Sequence, residues 1–353
     1  MITIPVPVPE RPYQVLVGRF PEPAAIADAV AAALGKVSGV AVLVDETVGQ
    51  RSPLVAPLVA ALGARLPNLR RFDLAGGEAC KNLTQLERTL EWLAGQGFDR
   101  GAAIVGVGGG AAGDHSGFAA AVYLRGVRFA LVPTTLLAMV DASVGGKTAV
   151  DLGAGKNLVG AFHQPQLVTA DLTFLETLPL RERAAGLAEV VKSALIADAP
   201  LLDRLEAEAD RLAAGAIDEG MAEVIAAAVR VKSDVVSEDE REAGRRAILN
   251  FGHTVGHALE SASGYELLHG EAVSLGMVAA LSLGVSLGVT PPALRDRATA
   301  LLARLKLPVD VAHRLTPEVL ARVDVDKKRR SDAVRFVFVT AAGATELRAR
   351  LVV

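Results

Sequence analysis

The sequence predicts an α/β amino-terminal domain with a mostly parallel sheet, followed by a mainly α-helical domain. Three observations carry this. Short apolar runs alternate with helical segments over the first half of the 353 residues. After about residue 172 long helical patterns take over. Hydrophobic residues make up 51% of the chain, enough for a sizeable core. The expected division is 1–172 and 173–353.

Taken in order, GVAVLVDE (39–46), LRRFDL (69–74), GAAIVGVG (101–108), RFALVP (128–133) and QLVTAD (166–171) have the length and flanking turns of buried strands. Between them lie helical segments such as LTQLERTLEWLAGQ (83–96). This βα alternation predicts a parallel sheet with helices on its faces. Helices are then expected over 180–198, 200–214, 217–237, 250–262 and 270–287. Strand character returns at 333–340 and 345–353. Ligands of parallel sheets gather at the carboxyl ends of the strands, where Asp45 and Gly106 to Gly110 fall. A site between the two domains is expected.

Composition excludes several classes. A formal charge of −3 gives no overall attraction to nucleic acid or anionic membrane. Cys80 is the only cysteine, so a disulfide within the chain and a thiolate metal site are both ruled out. That fits a reducing cytoplasm. The amino terminus, MITIPVPVPERPYQ, lacks the basic start and continuous apolar core of a signal peptide. Ala272 to Val289 carries no charge, but Ser274, Ser282, Ser286, Gly276, Gly284 and Gly288 interrupt it. It reads as a buried helix rather than a membrane span.

GVGGGAAGDHSGF follows a strand and opens a helix, and Gly108, Gly110 and Gly113 match G-x-G-x-x-G. Glycine there lets backbone approach a phosphate at a helix N-terminus. The usual ribose-binding acid is missing, because no Asp or Glu occurs between Asp114 and Asp141. A dinucleotide or phosphate site of another design remains, beside a plain tight turn. Gly146-Lys147-Thr148 suggests a P-loop, but Asp141 stands where its first glycine belongs. The surrounding glycine-rich loop still offers Lys147, Lys156 and Asn157 to an anionic ligand. Glu189 and Lys192, three apart on one helical face, read alone as an exposed ion pair.

Three of the six histidines, His253, His257 and His269, crowd into one stretch. His253 and His257 are i, i+4 and share a helix face, as in half of a zinc site. The metalloprotease motif is absent, since Thr254 stands where its glutamate belongs. A carboxylate from elsewhere would complete a site with open positions.

Together these residues resemble the 3-dehydroquinate synthases, within the sugar-phosphate cyclases. The resemblance rests on GGGAAGDHSGFAAAVYLRGVRFALVPTTLLAMVDASVGGKTAVDLGAGKN, LAEVVK, LNFGHTVGHALE and HGEAV, and runs from about residue 40 to the DKK at 326–328. It implies NAD bound in a non-standard manner and a divalent metal, usually zinc with cobalt as the alternative. The family's metal ligands fall on Glu189, His253 and His269, which differs from the spacing argument that pairs His253 with His257. NAD contacts fall on Asp45, Glu78, Lys81, Gly109, Gly110, Asp114, Thr134, Thr135 and Asp141, with Lys147 and Lys156 close to both ligands. Catalytic and substrate contacts fall on Arg125, Lys147, Lys156, Asn157, Lys192, Lys232, Arg246, Asn250, His257 and Lys327. The resemblance implies that Arg125 reaches across a homodimer interface. Ala111 and Ala112 stand where the family commonly has bulkier aliphatic residues, and His115 replaces a usually apolar one.

The reaction so implied converts 3-deoxy-D-arabino-heptulosonate 7-phosphate to 3-dehydroquinate and phosphate. It passes through transient oxidation by NAD, β-elimination of phosphate, re-reduction, ring opening and an intramolecular aldol step. Rival expectations are a sister cyclase, such as 2-epi-5-epi-valiolone synthase, and a metal-dependent alcohol dehydrogenase.

Overall fold

The computed structural model describes residues 1–264, 266–329 and 335–349. Strands β1 (Ile2–Val6) and β2 (Tyr13–Gly18) lead into helix α1 (Pro23–Leu34). There follow β3 (Val40–Asp45), α2 (Glu46–Arg51), α3 (Val55–Gly63), β4 (Leu69–Leu74), α4 (Leu83–Gly95), β5 (Ala103–Gly108), α5 (Gly110–Val122) and β6 (Arg128–Pro133). A hairpin, β7 (Lys147–Leu152) and β8 (Gly155–Phe162), precedes β9 (Leu167–Asp171). Helices α6 (Leu180–Ala197), α7 (Ala199–Ala213), α8 (Glu219–Glu238), α9 (His253–Ala262), α10 (His269–Ser286), α11 (Pro292–Arg304) and α12 (Pro317–Arg329) come next. Strands β10 (Arg335–Ala341) and β11 (Ala344–Ala349) end the described chain.

Two compact units result. The first holds Met1–Leu178 and Ile217–Ser237, the second Pro179–Ala216 and Glu238–Val353.

The first unit is built on a seven-stranded sheet of order β1-β2-β9-β6-β5-β3-β4. Every pairing is parallel except β1 with β2. Strands β3, β5 and β9 are buried at every residue. Their runs, dominated by Val, Ala, Leu and Ile, suit a sheet covered on both faces. Register places Gly108 beside Pro133 and Val44 beside Val107. The carboxyl ends of β3, β5 and β6 therefore finish at one edge, which is where Asp45, Gly109 and Thr134 follow.

The five strands expected from sequence correspond to β3, β4, β5, β6 and β9. Strands β1 and β2 add an edge the apolar runs do not signal, because β1 alternates and carries Pro5. The loop expected around Lys147 to Asn157 is instead the β7–β8 hairpin, paired from Lys147↔Phe162 to Leu152↔Gly155.

The second unit is helical with one antiparallel ribbon, β10–β11. In α6, every residue from Ala185 to Ile196 is buried, so this helix is packed on all sides and central to the unit. The ribbon is tied to it by the Gly343 amide, which donates to the Leu195 carbonyl at 3.0 Å. The uncharged stretch forms α10, buried along most of its length. Among the described residues no helix is long and apolar enough to cross a membrane.

Candidate active site and metal centre

In the first unit, the β5–α5 turn is shaped by close approach. A Cβ on Gly108 would stand 2.7 Å from the Ala112 side chain and 2.8 Å from that of Asp45. The Thr134 amide donates to the Gly108 carbonyl at 2.9 Å. Gly109 and Gly110 open α5, next to Thr135 and Ala142 respectively. Glycine backbone at the start of a thirteen-residue helix suits a pyrophosphate, both sterically and through the helix dipole. Asp45 accepts from the Thr47 amide at 2.8 Å, the Val48 amide at 3.3 Å and the Gly77 amide at 2.9 Å. It thereby caps α2 and fixes the turn that carries Glu78.

Three of the lysines expected to meet anions are already paired. Lys81 Nζ lies 2.5 Å from Asp114. Burial works to lower the Lys81 pKa, but Asp114 more than offsets this and raises it. Lys156 lies 3.5 Å from Glu78. Lys232, on α8, reaches Asp141 in the π-turn Ala138–Ala142. Asn157 adopts a positive φ of 56° and its amide donates to Asp151 at 2.7 Å, which closes the hairpin end. Lys147 stands exposed at the hairpin's start. Arg125 is exposed, with a φ of 67°, directly after Leu124 with a φ of 48°.

In the second unit, three helices converge through glycine. A Cβ on Gly270 would lie 1.9 Å from the Ala185 carbonyl, and one on Gly276 would lie 1.9 Å from the Gly252 carbonyl. These contacts let α10 press its backbone against α6 and against the entry to α9. The result brings Glu189 from α6, His253 from α9 and His269 from α10 together, with one ligand atom of each within 4.8 Å of the others. Glu189 Oε1 is 3.4 Å from His253 Nε2 and 3.3 Å from His269 Nε2. Its other oxygen is held by Lys192. That pair is 1% and 2% exposed, so it is not the surface ion pair suggested by spacing alone.

Both imidazoles have their outer nitrogen engaged. His253 Nδ1 donates to the Phe251 carbonyl at 3.1 Å, and His269 Nδ1 lies 3.4 Å from Glu260 Oε2. Burial pushes the His253 pKa down to about 3 despite Glu189 beside it. Burial also opposes charge on His269, but bonds to Glu189 and Glu260 overcome it and raise that pKa to about 9. Burial pushes the Glu189 carboxyl up, and Lys192 and the two histidines more than reverse this, holding it well below the usual range. A buried carboxylate with two imidazoles is a nitrogen–oxygen donor set that fits zinc or cobalt with open positions for a ligand. His257 is the exposed member of the cluster, its ring edge-on to His253 at 5.2 Å between centroids.

Arg246 is 1% exposed, and its amide donates to Asp239 at 2.9 Å. Asn250 donates to Glu242 at 2.8 Å. Lys327 belongs to α12, and its side chain lies outside the described residues. Sequence reasoning did not single out Glu260; its only signal is a position three residues after His257.

The 3-dehydroquinate synthase N-terminal family model matches residues 71–185, and its C-terminal counterpart matches residues 186–329. The chain belongs to the 3-dehydroquinate synthase family. A 3-dehydroquinate synthase from Rhodospirillum rubrum is 47% identical over 96% of this chain and 89% of that protein. Among solved structures, a 2-epi-5-epi-valiolone synthase from Streptomyces hygroscopicus subsp. jinggangensis, with NAD+ and Zn2+ bound, superposes with a TM-score of 0.85. It is 29% identical, over 96% of this chain and 93% of that one. A 2-deoxy-scyllo-inosose synthase with carbaglucose-6-phosphate, NAD+ and Co2+ gives a TM-score of 0.84 at 26% identity, over 99% of this chain and 96% of that one. The α/β-plus-helical architecture expected from sequence is thus the one that superposes on these two solved cyclases.

Proposed function

We propose that the chain converts 3-deoxy-D-arabino-heptulosonate 7-phosphate to 3-dehydroquinate and phosphate, as a phosphate-eliminating lyase of the shikimate pathway. The observation that carries this is the convergence of Glu189, His253 and His269, in a chain whose family is that of 3-dehydroquinate synthase. The sister cyclase reading is disfavoured by 47% identity to a dehydroquinate synthase against 29% to the valiolone synthase.

NAD and a divalent metal, zinc or cobalt, supply hydride exchange and Lewis acidity when bound. Glu189, His253 and His269 would hold the metal. Asp45, Glu78, Lys81, Gly109, Gly110, Asp114, Thr134, Thr135 and Asp141 would form the NAD site. The substrate carries a carboxylate and a phosphate, so Arg125, Lys147, Lys156, Lys192, Lys232, Arg246 and Lys327 bind and orient it through charge-assisted hydrogen bonds. Asn157 and Asn250 fix its hydroxyls, and Lys147 neutralises charge on the departing phosphate. His257, exposed and histidine-flanked, moves a proton at its ring nitrogen. A homodimer in which each protomer lends Arg125 to the other completes the assembly, in a reducing cytoplasm that suits the single buried Cys80.

The test follows phosphate, 3-dehydroquinate and NADH together, with NAD and substrate, before and after chelation. One-to-one phosphate and dehydroquinate without net NADH, abolished by the chelator, is the expected outcome. Stoichiometric NADH without phosphate would make the chain a dehydrogenase instead.

A further inference from the structure

We infer that Glu260 is a positioning residue for the metal centre: its carboxylate holds the Nδ1–H of His269 and so turns Nε2 of that ring toward Glu189. The inference rests on the metal reading of Glu189, His253 and His269. Glu260 is 5% exposed on α9, with Oε2 3.4 Å from His269 Nδ1. The opposite nitrogen, Nε2, is 3.3 Å from Glu189 Oε1. One ring thus bridges two buried carboxylates, and the proton on Nδ1 settles which nitrogen is left as a lone-pair donor.

His253 repeats the plan with the Phe251 carbonyl, at 3.1 Å, in the outer position. The two outer acceptors differ in charge. A carboxylate makes its imidazole the more basic ligand, so Glu260 contributes to affinity as well as to orientation.

A second arrangement competes with this one. Ligand atoms of His257, Glu260 and His269 also lie within 4.8 Å of one another. A metal held there by Glu260 directly would take His269 through Nδ1. It would abandon His253 and leave Oε1 of Glu189, a residue 1% exposed, without a metal, its other oxygen still paired with Lys192. Leaving one oxygen of a buried carboxylate without the partner its surroundings are arranged for is costly. The geometry therefore favours Glu260 outside the coordination sphere.

The experiment titrates metal-free full-length protein with Zn2+ against a chromophoric chelator, and records the visible spectrum of the Co2+ form. Wild type is compared with Glu260→Ala and Glu260→Gln. One metal per chain is expected in wild type. Glu260→Ala should weaken Zn2+ binding by roughly 10- to 100-fold, the usual cost of losing such a partner. Its Co2+ band pattern should stay that of wild type, because the three direct ligands are intact. Glu260→Gln keeps an acceptor oxygen and the side-chain volume, so its loss should be smaller, and it guards against misfolding of the alanine variant. Unchanged affinity in both variants overturns the inference alone. A changed Co2+ spectrum in Glu260→Gln, or two metals per wild-type chain, also overturns it, by making Glu260 a direct ligand. Wild type that binds no metal overturns the metal reading itself.

Discussion

Lys232 Nζ stands 2.7 Å from both the carbonyl oxygen and Oδ1 of Asp141. One side chain of α8 therefore grips backbone and carboxylate of the π-turn that follows β6. The lysine side chain is only 9% exposed, so loss of Asp141 leaves its charge poorly solvated. The two residues should be energetically coupled. In a double-mutant cycle of Lys232→Met and Asp141→Asn, read from denaturant midpoints, a coupling of about 0.5–3 kcal/mol is expected. Additive effects would show that the contact contributes nothing to stability.

Replacing His257 or Lys147 by alanine should slow turnover by roughly 100-fold or more, as losses of general acid–base and electrostatic groups do. Both side chains are exposed within their own units, so folding should survive. Steady-state kinetics with matched melting curves checks this. Near-normal turnover in either variant removes that residue from the mechanism.

Gly276→Ala should destabilise the second unit by about 3 kcal/mol, the upper end of the overpacking range, because its Cβ would sit 1.9 Å from the Gly252 carbonyl. Backbone cannot rotate away as a side chain would. Metal affinity should fall as well, since Gly252 leads directly into His253. Urea unfolding measures the first effect and metal titration the second.

Asp239 supports the turn that carries Arg246, accepting amides of Ala243 at 2.8 Å, Gly244 at 2.8 Å and Arg246 at 2.9 Å. Burial tends to raise its pKa, and these bonds more than reverse this, lowering it. A depressed folded pKa means stability fully present above the unfolded value, about 3.9, and lost as pH falls through the folded one. Asp239→Asn should therefore lower the denaturant midpoint at pH 7 and progressively less below about pH 4. A difference that stays constant with pH would show that the carboxylate's charge plays no part.

Much of this was legible in the residues. The apolar runs ending at Asp45 and Gly108 located strands β3 and β5 and their carboxyl ends, because fully buried parallel strands leave an unmistakable pattern. The β7–β8 hairpin was not legible. Gly145, Gly146, Gly153 and Gly155 look like flexible loop, and only pairing partners reveal the strands. Helical spacing put His253 and His257 on one face, and their rings do meet. It could not show that His269 and Glu189 approach from other helices, because periodicity carries no tertiary contact. The resemblance supplied that grouping. Glu260 escaped both routes, since nothing local distinguishes it from a surface helix glutamate.

Under the proposed function, the pairing of Lys81, Lys156 and Lys232 with carboxylates in the first unit has a consequence for selectivity. An arriving anion finds each of these three cations already occupied. It must win each cation from a resident competitor, so capture becomes an exchange and not a simple attraction. A lone inorganic ion gains little from such a trade. A molecule bearing two anionic groups at a fixed separation can displace several residents at once. On that reading, discrimination against stray anions is built into these resting pairs before any ligand arrives.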